Sequence, residues 1–296
     1  MATLVQLVGF PILLPYYCIS PHNHPTTTVI CPKPPSALKL TSVYVSLGLL
    51  LAADCYLFSV GLQYLPVSTY SLICASQLAF NAFISYFLNA QKFTAFIINS
   101  LVLLTISSIL LVFQNDSAGS NEVSKGKYAI GFICTILASA GYGLVLSLTQ
   151  LFFQKVLRRE TFSVVIDMII YRSLVAVGAV LVGLFASGEW KDLNREMNEF
   201  KTGKVSYIMV LIWTSISWKF YSVGFVGLIF EVSALFSNAI GVFGLPIVPV
   251  LAIIFFHEKM DGIKGISLVL AIWGFVSYVY QQYLDYKKLK TANSKE

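Results

Sequence analysis

Charge is what this chain has least of. Asp, Glu, Lys and Arg make up 11% of its 296 residues, where a soluble domain carries about 25%. That deficit argues against an ordinary globular enzyme and makes a lipid-embedded protein the default. The sequence also lacks a nucleophile beside a base, a glycine-rich phosphate loop and a pair of metal ligands on one helix, so neither catalysis nor a cofactor is expected. The five cysteines, Cys18, Cys31, Cys55, Cys74 and Cys134, form no even framework and read as small apolar fillers. Cys18 and Cys31 meet no zinc spacing rule with His22 and His24, and no metal is expected. The opening run MATLVQLVGFPILLP has no basic flank and is interrupted by Pro11 and Pro15, unlike a cleaved leader. The net charge is +6, but the basic residues are scattered over short links and the tail, which argues against a nucleic-acid partner.

Apolar sequence is abundant. Hydrophobic residues reach 57% and the mean hydropathy is +0.76. A span needs roughly 20 apolar residues. Nine stretches reach or approach that length: 1–17, 42–62, 67–89, 94–113, 128–152, 162–187, 206–230, 232–256 and 263–284. The expected fold is all-α, a polytopic protein that crosses the bilayer about nine times. Lys and Arg are retained on the cytoplasmic side. The link QKVLRRE and the tail DYKKLKTANSKE therefore place the C-terminus in the cytoplasm. Nine spans leave the N-terminus outside, and one more span upstream would bring it inside. The sequon at Asn115 falls too close to a span end to be modified.

Two stretches resemble each other: FSVGLQYLPVS from Phe58 and YSVGFVGLIFEVS from Tyr221. Each joins an aromatic-Ser-Val-Gly helix end to a Val-Ser helix start. The second, third and fourth spans thus match the seventh, eighth and ninth, and the first matches the sixth. An offset of five spans is odd, so the halves have opposite orientations, as in transporters built from inverted repeats. The expected architecture is five plus five. Residues 1–113 form a first repeat lacking its first helix, 128–284 a second repeat, and 285–296 a tail.

Polar groups inside spans are functional suspects. Tyr70, Cys74, Gln77, Asn81 and Ser85 recur at three- and four-residue spacing, on one helix face. Ordinary interhelical hydrogen bonds, about 0.6 kcal/mol each, would explain them. So would a wet cavity whose amides hold a planar polar ligand, as Asn and Gln hold adenine. Trp213 and Tyr221 could stack on a heterocycle. The eighth span adds Asn238, with Gly241, Gly244, Pro246 and Pro249 to allow close approach and free carbonyls. Asp54 and Asp167 are the titratable carboxylates within spans. Arg172 and Lys219 are cations near mid-membrane, and Asp54 with Lys219 is the expected ion pair.

Several long segments carry a resemblance. LPVSTYSLICASQLAFNAFISYFL, GKYAIGFICTILASAGYGLVLSL, LFSNAIGVFGLPIVPVLAIIFFHEKMDG and LAIWGFVSYVYQQYLD look like the plant purine permeases of the drug/metabolite transporter superfamily. The resemblance implies ten helices in two inverted halves, of which this chain lacks the first. It also implies proton-coupled uptake of purine nucleobases, cytokinins and similar planar nitrogen heterocycles, most naturally at the plasma membrane. Gln77, Asn81, Tyr70, Trp213, Tyr221 and Asn238 would then bind substrate in a central cavity, with Asp54 and Asp167 coupling protons. Where the family usually reads Trp-Gln, this chain has Trp218-Lys219, a departure that also fits a non-transporting paralogue or an altered substrate such as a nucleotide-sugar.

Overall fold

A computed structural model describes residues 2–15, 37–90, 94–113, 125–157, 163–200, 203–242, 247–257 and 260–293. Cys18, His22, His24, Cys31, Asn115, Gly244 and Pro246 lie outside them. Among the described residues the secondary structure is helical, with no strand. In hydrocarbon each backbone amide must find a partner within its own segment, and only a helix or a closed barrel provides that. The helices are α1 (Ala2–Val8), α2 (Ala37–Tyr64), α3 (Val67–Ala75), α4 (Gln77–Asn89), α5 (Ala95–Phe113) and α6 (Lys125–Phe152). They continue as α7 (Ser163–Ser187), α8 (Leu193–Glu199), α9 (Lys204–Glu231), α10 (Ala234–Val242), α11 (Ile247–Phe256) and α12 (Gly262–Asn293).

Among the described residues six segments are long and apolar enough to cross a bilayer: Ala37–Tyr64, Val67–Asn89, Gly126–Val156, Ser163–Ser187, Lys204–Glu231 and Gly262–Gln281. The other expected spans fall on helices too, in shorter pieces. The first runs from α1 into the 3-10 turn Phe10–Leu13, where Pro11 occupies the first turn and cannot donate to a helical ladder. The eighth comprises α10 and α11. The third kinks at Ser76, whose hydroxyl donates to the Ile73 carbonyl at 2.6 Å and competes with the backbone ladder.

Packing divides the chain into two compact units. One comprises Met1–Tyr56 with Leu151–Glu231, the other Leu57–Gln150 with Val232–Glu296. This partition differs from the sequence repeats, because each unit draws on both halves of the chain. In the first unit α1 packs on α7 and α9, and α7 on α9, around a core of Leu7, Ala52, Cys55 and Ala176. In the second unit α5 lies along α12, α3 against α11, and α4 against α10. The start of the third span therefore meets the end of the eighth, and its end meets the start, so the two run antiparallel. The same holds for α5 and α12. Phe96 packs on Tyr280, the Asn99 Nδ2 donates to the Ser277 hydroxyl at 2.8 Å, and the Ser107 hydroxyl donates to the Ser267 carbonyl at 2.8 Å.

Candidate functional site

The polar groups of the second unit converge where α4 crosses α10. Two asparagines make the same bond in opposite directions. The Asn81 Nδ2 donates to the Ala234 carbonyl at 3.2 Å, and the Asn238 Nδ2 donates to the Gln77 carbonyl at 3.3 Å. Each asparagine stands four residues after the carbonyl that the other one uses. The symmetry is written in the sequence: SQLAFNA from Ser76 and SALFSNA from Ser233 share Ser, Leu, Asn and Ala at matching positions. That repeat is a sharper signal of the symmetry than the aromatic-Ser-Val-Gly match.

The two ends of this clasp differ. Asn81 is fully buried and its Oδ1 accepts from the Ser147 hydroxyl at 2.9 Å, with the Ser85 hydroxyl 3.3 Å away. Ser85 and Ser147 are themselves 2.8 Å apart. Gln150 closes the network: its Oε1 accepts from the Ala234 amide at 2.9 Å and from the Asn89 Nδ2 at 3.4 Å. It thereby satisfies one of the amides that the start of α10 leaves open. The Ser233 hydroxyl accepts from the Phe236 amide at 3.1 Å and caps the same helix. Ser147 and Gln150, on α6, were not singled out in the sequence, because a lone Ser or Gln in an apolar helix carries no spacing signal.

At the other end, the Asn238 side chain is fully buried and its Oδ1 has no partner among the described residues. The neighbouring Gln77 is 8% exposed. Its backbone carbonyl takes the bond from Asn238, and its side-chain amide makes no hydrogen bond to a described residue. Tyr70, half-buried on the preceding turns, sets its ring edge-on to Phe58 at 6.2 Å, and Phe58 in turn meets Tyr142 at 6.3 Å. Among the described residues this part of the unit thus holds a primary amide without a hydrogen bond on Gln77, an unpartnered amide oxygen on Asn238 and, one helix earlier, the Tyr70 ring. Such a set can donate to and accept from a flat heterocycle.

Gly143 makes the close helix approach possible. A Cβ there would stand 2.8 Å from the Asn81 backbone nitrogen and 3.0 Å from its Cα. Because both neighbours are backbone atoms, Gly143→Ala is expected to destabilise the protein by about 1–3 kcal/mol. Thermal unfolding of the detergent-solubilised protein checks this, and an unchanged midpoint would refute it.

The first unit holds the four ionisable residues that the sequence placed inside spans, Asp54, Asp167, Arg172 and Lys219. Asp54 is 3% exposed, and its Oδ1 has no partner among the described residues. Lys219 is likewise 3% exposed, and its Nζ donates to the Ser173 hydroxyl at 3.0 Å. The expected Asp54–Lys219 ion pair is not formed: the ammonium is turned to a neutral hydroxyl instead. Arg172 is buried and Asp167 half-buried on α7. Trp213 and Tyr221 also belong to this unit. Trp213 is 61% exposed, so its own unit leaves most of the indole uncovered. Tyr221 packs on Trp218 at 5.6 Å and Phe225 at 5.0 Å. The six residues expected at the substrate site are thus distributed between the units. Tyr70, Gln77, Asn81 and Asn238 belong to one, where Gln77 and Asn81 meet Ala234 and Asn238, while Trp213 and Tyr221 lie in the other.

Comparison with known proteins adds an independent line. The sequence profile of a family described as purine nucleobase transmembrane transport matches residues 1–288. Probable purine permease 10 of Arabidopsis thaliana is 65% identical over 290 residues, covering 98% of this chain and 74% of that protein. Purine permease 21 of Arabidopsis thaliana is 62% identical over 293 residues, covering 99% of this chain and 75% of that protein.

Proposed function

Since the chain belongs to the purine permease family and is an integral multi-pass membrane protein, we propose that it carries purine nucleobases and similar planar nitrogen heterocycles, cytokinins among them, across a membrane. Its relatives are named as permeases, which are transporters and not enzymes. The observation that carries the reading is the Gln77 side-chain amide, buried in an apolar helix with no hydrogen bond among the described residues, on the residue whose backbone carbonyl accepts from Asn238, whose own Oδ1 has no partner among the described residues. Unpaired polar groups in hydrocarbon cost several kcal/mol. A ligand that donates and accepts in one plane satisfies both. Asn81 serves the same site indirectly, because its amide oxygen is engaged by serine hydroxyls and it holds α4 to α10. Tyr70 provides the aromatic wall, and Trp213 and Tyr221, within the first unit, are aromatic groups suited to stacking on a heterocycle.

The antiparallel contacts between α3–α4 and α10–α11, and between α5 and α12, support an inverted repeat of 1–113 and 128–284 followed by the tail 285–296. Asp54 and Asp167 are the carboxylates that would couple protons to substrate. The plasma membrane, with a cytoplasmic C-terminus, completes the reading.

Cells expressing the chain are expected to take up labelled adenine, with competition by unlabelled adenine and cytokinins but not by a nucleotide-sugar. Gln77→Leu removes two hydrogen bonds of about 1 kcal/mol each. It is expected to raise the KM about tenfold or more while the protein folds normally. Uptake no greater than in control cells would reject the proposal, and an unchanged KM in Gln77→Leu would remove Gln77 from the site.

A further inference from the structure

Gln150 caps α10, yet only the oxygen of its amide is used. We propose that Gln150 and Asn89 form a second binding station for a planar nitrogen heterocycle, at the end of α4 and apart from Gln77. The inference rests on the transport reading above and adds a second site for the same class of ligand.

The backbone fixes which way both amides are turned. The Ala234 N–H can only donate, so the Gln150 atom it meets at 2.9 Å is the Oε1. The Ser147 carbonyl can only accept, so the Asn89 atom it meets at 3.2 Å is the Nδ2. That nitrogen also donates to the Gln150 Oε1 at 3.4 Å, which joins the two amides. Two ends are left over. The Gln150 Nε2 carries two N–H donors and makes no hydrogen bond to a described residue, although Gln150 is only 6% exposed. The Asn89 Oδ1 is an enclosed acceptor without a partner among the described residues. A donor and an acceptor thus remain open on two amides that already touch.

Unpaired amide groups are costly in hydrocarbon, and capping α10 needs only the oxygen of Gln150. The open ends complement a ligand edge that carries an N–H beside a ring acceptor, as adenine carries N6 beside N7. The Gln150 amide donates to the ring acceptor, and the Asn89 oxygen receives the N–H. Tyr86 stands one turn before Asn89 on the same side of α4 and is exposed, with its ring edge-on to Phe87 at 5.1 Å. Gln77 and Asn89 open and close the 13 residues of α4, roughly 18 Å apart along the helix. That exceeds the length of a purine, so one ligand does not reach both. The last turn of α4 is also its least secure. It ends on Ala90, whose φ of 52° crowds a Cβ against a carbonyl oxygen. Movement of this turn uncovers the Asn89 oxygen to the ligand.

Equilibrium binding of labelled adenine to the full chain in detergent tests this. Two adenines per chain are expected, and one in Gln150→Glu. Glutamate keeps the oxygen that Ala234 and Asn89 use and puts a second oxygen in place of the free nitrogen, so the cap survives and the donor is lost. Gel filtration and the thermal midpoint check that the variant folds. Photolabelling of the unaltered chain with 2-azidoadenine, read by mass spectrometry, needs no variant at all. Label is expected on the segments around both Gln77 and Asn89. One adenine per chain, with label confined to the Gln77 segment, overturns the second station and leaves the transport reading standing; the two open amides then hold water only. Two adenines per chain in folded Gln150→Glu also overturn it. An unaltered chain that binds no adenine and takes no label rejects the station and the transport reading together.

Discussion

Asn81→Leu is expected to destabilise the protein by about 2–3 kcal/mol, while the matching change Asn238→Leu leaves it as stable as before or slightly more so. The two asparagines occupy equivalent places and make equivalent bonds to a backbone carbonyl. Their other halves differ. Asn81 Oδ1 accepts from Ser147, and Ser85 completes a three-way contact with both. Leucine has nearly the same shape but no acceptor, so it leaves a buried hydroxyl hydrogen without its partner. Each such orphan costs about 1–3 kcal/mol. Asn238 donates one bond, worth about 0.6 kcal/mol between membrane helices. Its oxygen is already an orphan, so leucine removes a penalty together with a bond. Unfolding of the two variants in detergent, scored against the unaltered chain, gives the comparison. Equal losses would mean that the serine network adds nothing to the clasp.

Asp54→Asn is expected to abolish concentrative uptake and leave downhill exchange intact. A proton moving inward with the substrate contributes about 2.3 kcal/mol per 100 mV of membrane potential. That corresponds to roughly 50-fold accumulation, with tenfold for each 1.4 kcal/mol. Asp54 lies buried in the first unit, with a carboxylate oxygen that meets no partner among the described residues. A carboxylate so placed is well suited to bind and release a proton, because no cation holds it permanently charged. Asparagine keeps the shape and cannot titrate. The steady-state ratio of labelled adenine inside and outside energised vesicles should fall from tens to about one. Counterflow in de-energised vesicles should persist. Full accumulation in Asp54→Asn would transfer the coupling to another group, Asp167 first.

Helix positions were legible in the sequence because hydrocarbon imposes a one-dimensional rule: a run of apolar residues must be helical and of a certain length. The runs 67–89, 162–187 and 206–230 sit on the helices Val67–Asn89, Ser163–Ser187 and Lys204–Glu231. The burial of Gln77 and Asn81 followed from their spacing on one helix face.

Which polar residue is satisfied and which is left open was not legible. Gln77 and Asn81 look alike in sequence, and α6 alone distinguishes them by bringing Ser147 and Gln150 to one end of the clasp and not the other. The charge pairing of Asp54 with Lys219 was also beyond reach, because opposite signs on two helices say nothing of the rotation of either. The sequence by itself determined the solvent this protein lives in, the helical state of its apolar segments, and the presence of amides inside them. Only the tertiary structure decided the partners, since a hydrogen bond depends on an approach of about 3 Å between groups far apart in the chain, and no periodicity within one helix encodes that distance.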